Sequence, residues 1–88
     1  MTFPSLLLLK LDVAKTFSGK EVMKILIREF GFSFVSQKGS HVKLRKKAGG
    51  RNVITIIPMH RELAQGTLLG ILELAEIEEG DFMKIALD

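Results

Sequence analysis

At 88 residues the chain is long enough for one small domain with its own core, and an apolar fraction of 47% argues against disorder. The absence of cysteine excludes disulfide frameworks, zinc ribbons and thiol chemistry, and it suits a cytoplasmic setting. The net charge of +3 hides a segregation: residues 36–61 hold seven cations (Lys38, Lys43, Arg45, Lys46, Lys47, Arg51, Arg61) and no acid, whereas residues 62–88 hold seven acids against Lys84 alone. A basic middle suits a polyanionic partner; a solvated hairpin bridged to the acidic end would have the same composition.

Residues 1–17 read as an extension, poorly ordered or peripheral, and residues 18–88 as the domain. The apolar run Leu6 to Leu9 is interrupted by Lys10 and Asp12 and is too short to span a bilayer. It has neither a charged leader nor a small-residue cleavage site, so neither a membrane segment nor a signal peptide is expected.

Ser18 and Glu21 have the spacing of a capping box, which predicts a helix start. Val22, Ile25 and Leu26 form its apolar stripe, and Gly31 is a suitable left-handed stop. Lys20, Lys24 and Arg28 recur on another side, either a solvated face or a contact for a nucleic-acid backbone.

Alternation over residues 32–37 predicts a strand with Phe32, Phe34 and Ser36 on one face and Ser33, Val35 and Gln37 on the other. Lys38-Gly39-Ser40 is the turn. In the second strand His41, Lys43 and Arg45 alternate with Val42 and Leu44, so one face carries an imidazole, an ammonium and a guanidinium, and the other faces a core. Lys47-Ala48-Gly49-Gly50 supplies a second turn with positive φ at its glycines. The β-branched run Val53 to Ile57 is the third strand, ended by Pro58.

Residues 59–66 read as a connecting loop. Thr67 is the expected cap of a helix carrying Leu68, Leu69, Ile71, Leu72 and Ala75, in which Gly70 costs roughly 1 kcal/mol relative to Ala and would serve a close approach. Residues 77–81 read as a break, and residues 82–87 as a short last helix. The order predicts an α+β fold, an α-β-β-β-α two-layer sandwich with double-stranded-RNA-binding-domain topology. Its three-stranded antiparallel sheet has the helices on one face and leaves the other open.

The landmarks Ser18-Gly19-Lys20-Glu21-Val22, Gly31-Phe32, Gln37-Lys38-Gly39-Ser40-His41, Pro58-Met59-His60 and Gly66-Thr67-Leu68 with Ile71-Leu72 resemble the HicA-type toxins, the mRNA-cleaving halves of HicA–HicB toxin–antitoxin pairs. The resemblance runs from Ser18 to about Leu87. It implies a metal-independent endoribonuclease acting on mRNA, without a cofactor, and neutralised by a HicB-type antitoxin. It makes His41 the catalytic histidine and gives His60 the place of a second one. Ser36 stands where such toxins often carry an arginine.

Cleavage of RNA without a metal uses the substrate's own 2′-hydroxyl. It needs a base for that proton, charge stabilisation at phosphorus and an acid for the leaving oxygen. A histidine titrates near neutral pH and suits either proton role. The RNA-binding candidates are Lys38, Gly39, Ser40, Lys43, Arg45 and His60: cations for phosphates, turn amides and a hydroxyl as donors. His41 is otherwise a solvent-exposed strand histidine, and His60 either a site residue or one that orients its loop. With no carboxylate or cysteine in residues 36–61, a metal site is not expected. With no Trp or Tyr, only six Phe and two His can stack on a base. The competing function is a non-catalytic RNA-binding module, or a toxin remnant that only binds its antitoxin. The charge segregation leads to the expectation that the antitoxin covers the basic sheet face.

Overall fold

The computed structural model describes residues 15–88. They form α1 (Gly19–Glu29), β1 (Ser33–Lys38), β2 (His41–Ala48), β3 (Arg51–Pro58), α2 (Gln65–Ala75) and α3 (Glu79–Ala86). The strands make one antiparallel sheet in the order β1-β2-β3. Both α1 and α2 pack on β3, and α1 also meets α3. The chain thus adopts the expected α-β-β-β-α fold, with its helices on one face of the sheet.

Local chemistry sets most of the boundaries. Glu21 donates its amide to Ser18 Oγ at 3.0 Å, and Ser18 donates its own amide to Glu21 Oε1 at 2.8 Å, closing the capping box. The buried stripe of α1 is Val22 and Leu26. Gly31 leaves the helix at φ 78°, and the Phe32 amide returns to the Leu26 carbonyl at 3.2 Å. In β2 the alternation holds: Val42 and Leu44 are buried while His41, Lys43 and Arg45 are exposed. Gly39 alone has positive φ in the first turn, the pattern of type II′; Gly49 and Gly50 both have it in the second, the pattern of type I′.

The core lies between the inner sheet face and the helices. Val42, Leu44, Val53 and Ile57 meet Leu26, Leu68, Ile71, Leu72 and Phe82 there. Each such side chain contributes roughly 1.5–3 kcal/mol through burial. Thr55 is the one polar residue in this layer, with no exposed surface, and its hydroxyl donates to the Ile71 carbonyl at 2.8 Å. That bond removes the penalty of burying a hydroxyl and fixes α2 to β3.

Four expectations need correction. Helix α2 begins at Gln65, with Ala64 as an N-cap that makes no side-chain bond, and Thr67 lies within it. Burial of Leu68, Ile71, Leu72 and Ala75 on one stripe outweighs the missing cap. Gly70 has open space where a Cβ would stand. The close approach is at Gly19, where a Cβ would overlap the Pro58 carbonyl oxygen and lie 3.0 Å from Met59 Cα. Third, α3 starts at Glu79, inside the segment read as a break. Glu79 and Asp81 in its first turn are favourable beside the helix dipole, which is why an acidic stretch initiates a helix here. The preceding helix closes through Glu76 in the left-handed conformation, φ 60° and ψ 40°, with the Ile77 amide on the Leu72 carbonyl at 2.9 Å.

The fourth concerns the extension. Phe17 is a core residue, 4% exposed, with its ring edge-on to Phe82 at 5.4 Å between centroids. Its carbonyl accepts from the Leu63 amide at 2.8 Å. The packed unit therefore includes Phe17; residues 1–14 of the proposed extension lie outside the described residues.

Candidate functional site

The outer sheet face is built from β2 outward. Opposite-facing alternation sends His41, Lys43 and Arg45 away from the core. Register then supplies neighbours: Lys38 lies opposite His41, Ser36 opposite Lys43 and Ser33 opposite Arg45 on β1, with Pro58, Ile56 and Ile54 opposite the same three on β3. Lys38 and His41 flank the Gly39-Ser40 turn, so the turn's backbone and hydroxyl stand at the same end of the sheet as the imidazole. The Ser40 carbonyl accepts from the Met59 amide at 2.6 Å, which ties the start of β2 to the segment after β3. Among the described residues the one ion pair joins Arg51 and Glu76, so Lys38, Lys43 and Arg45 have no carboxylate partner there. They present uncompensated positive charge beside one imidazole.

Not every cation of the basic segment joins this row. Lys46 has the parity of Val42 and Leu44, and its ammonium sits 5.5 Å over the Phe32 ring. Arg51 makes a two-pronged contact with Glu76, at 2.8 and 2.6 Å. That hydrogen-bonded pairing raises the Arg51 pKa and holds the Glu76 carboxyl below its ordinary range.

His60 lies two residues beyond Pro58, the partner of His41 on β3. Its carbonyl accepts from the Gly19 amide at 2.9 Å, one of the donors left free at the start of α1. His60 is exposed and is among the residues lining a groove of about 510 Å³, together with Met23 of α1 and the inward-facing Val42.

That groove exists because of a feature the period-two pattern hides. Register slips between Phe34 and Ser36, leaving Val35 as a bulged residue. Phe34 pairs with Leu44 and Gln37 with Val42, so Phe34 and Gln37 share the helix side while Ser36 turns outward. The expected grouping of Phe34 with Ser36 is therefore corrected: one extra residue inverts the alternation beyond it. Every residue of β1 is exposed, Phe34 at 54%. The groove was not foreseen from the sequence. The signal that pointed towards it was an aromatic residue in a strand with no apolar neighbour two positions on.

The class these features define is a small α+β domain whose open sheet face carries exposed cations and an imidazole. The family model described as the HicA toxin of bacterial toxin–antitoxin systems matches residues 19–77, and the chain belongs to that family. It is thus a toxin of a toxin–antitoxin system, a family that implies a cognate antitoxin. No curated protein matches the chain. Among the described residues no helix is long and apolar enough to cross a membrane.

Proposed function

We propose that this toxin is a metal-independent endoribonuclease that cleaves mRNA in the cytoplasm, with His41 as its general acid/base. The observation that carries the reading is the outer row: His41 next to Lys38, Lys43 and Arg45, exposed, with no carboxylate partner among the described residues. In the reaction the 2′-hydroxyl attacks the adjacent phosphorus and its proton passes to a base. The P–O5′ bond breaks, and an acid protonates the departing 5′-oxygen. The products are a 2′,3′-cyclic phosphate and a 5′-hydroxyl. His41 takes or delivers one of these protons. Lys43 and Arg45 hold the scissile and flanking phosphates, and Lys38 with the Gly39 and Ser40 turn adds charge and donors at the same end.

The test is purified protein with labelled mRNA, with and without EDTA, beside His41→Ala. EDTA-resistant cutting that disappears in the variant is the expected outcome. Cutting that survives the substitution would remove His41 from the mechanism.

A second reading has an observation of its own. The reaction needs two proton carriers, and the β2 row itself offers one imidazole, His60 standing in the segment after β3. Ser36, opposite Lys43, also brings no charge to the row. Both fit a module that binds RNA, or only its antitoxin, without cutting. That reading predicts salt-sensitive RNA binding, weakened by loss of Lys43 or Arg45, and intact RNA under every condition.

We also propose that a HicB-type antitoxin neutralises the toxin by covering the outer row with acidic residues, as the charge segregation suggests. An interface confined to the acidic α2–α3 side would refute this.

A further inference from the structure

We infer that the groove between α1 and β1 is a nucleotide subsite, in which a base of single-stranded RNA flanking the scissile phosphate stacks on Phe34; this rests on the ribonuclease reading above. The groove's composition argues for such an occupant. Its apolar walls are Phe34, Met23, Met59 and Val42, and its charged lining residues are Lys20 and Arg61 without a carboxylate. An apolar slot with a cationic rim matches a ligand that is flat and apolar on one part and anionic on another, which describes a nucleotide. Aromatic stacking with cations along the backbone is how unpaired strands are held.

Position supports the same occupant. Gln37 and Val42, at one end of the groove, are the residues adjoining Lys38 and His41 across the β1–β2 ladder. The sheet there is thinly covered, since no residue of β1 is buried. A strand whose phosphate lies at His41 therefore passes over the β1 edge into the groove. The bulge at Val35 makes this possible, because it puts Gln37 on the Phe34 side and Ser36 on the His41 side. Gln37 donates its amide to the Gly39 carbonyl at 3.1 Å, which holds it at the mouth with its side-chain oxygen left to meet a base edge.

The experiment uses the full chain labelled at its methionine methyl groups and uniformly with 15N at its backbone amides, titrated with a short single-stranded RNA whose 2′-oxygens are methylated, so that it cannot be cut. Met23 and Met59 line the groove and Met83 does not. The expected result is that the Met23 and Met59 signals move and saturate with the RNA, while Met83 stays in place. Phe34→Leu keeps apolar surface but removes the ring, and is expected to weaken binding roughly 5- to 150-fold, the range of one lost base stack. Amide shifts confined to Lys38, His41 and Lys43, with both methyls silent, would overturn the subsite while leaving the ribonuclease reading intact. No response anywhere, together with uncut mRNA in the cleavage assay, would overturn both. Methyl signals that respond only to the antitoxin, or only to protein concentration, would assign the groove to a protein partner or a second copy and overturn the nucleotide.

Discussion

Strands β1 and β3 flank the same central strand, yet they have opposite fates. The inner row of β3, Val53, Thr55 and Ile57, lies under α1 and α2; no residue of β1 is buried at all. The difference does not come from hydrophobicity alone, since β1 carries Phe34 and Val35, 54% and 41% exposed. It comes from where the helices land. The β3 side is committed to stability, and the β1 side is left open on both faces beside the imidazole. The division between covered and open sheet runs down β2.

The sharpest test of that division is a pair of truncations. Ile57→Ala removes a side chain with no exposed surface and should cost about 2–5 kcal/mol in denaturant unfolding. Phe34→Ala, on the open edge, should stay within about 0.5 kcal/mol. Equal losses would mean that β1 is structural after all. Next in size is Gly19→Ala. The obstructing atoms belong to the Pro58–Met59 backbone and cannot rotate away, so a loss of roughly 1–3 kcal/mol is expected, with chemical-shift changes reaching His60. A variant as stable as the parent would show that α1 can separate from the end of β3 without cost.

Thr55→Val should lose about 1 kcal/mol, the net value of one satisfied internal hydrogen bond, measured as a shift in the unfolding midpoint. An unchanged midpoint would mean that apolar packing alone holds α2 on β3. The smallest effect belongs to the exposed Arg51–Glu76 pair. Because its folded carboxyl pKa is lowered, its contribution is fully present above the ordinary glutamate value and is lost as pH falls through the lower folded value. Stability of Glu76→Gln and parent protein, compared across that window and at high salt, should converge at low pH.

The fold was legible where side chains announce their own geometry. The Ser18–Glu21 box, the paired glycines at 49 and 50, and the two-residue period of β2 each have one economical reading. The start of α2 was not legible, because its cap has no side-chain signature and the buried stripe decides it. Phe17 was missed because its partner, Phe82, lies far along the chain. In the candidate site, the row through His41, Lys43 and Arg45 followed from alternation alone. The place of His60 did not, since it sits outside any periodic element, and the bulge at Val35 inverts a pattern that looks regular in letters.

The Phe17–Phe82 contact has a consequence in time. These two rings lie on either side of the family-matched residues 19–77 and join the entry to α1 with α3. Synthesis proceeds from the N-terminus at about 5–20 residues per second, so the β-meander and its imidazole emerge before the helix that completes the core. Until Phe82 arrives, Phe17 has no ring to meet. A chain truncated after Ala75 should therefore be loosely packed, with Phe17 and the inner stripe of α1 short of the ring that completes their core.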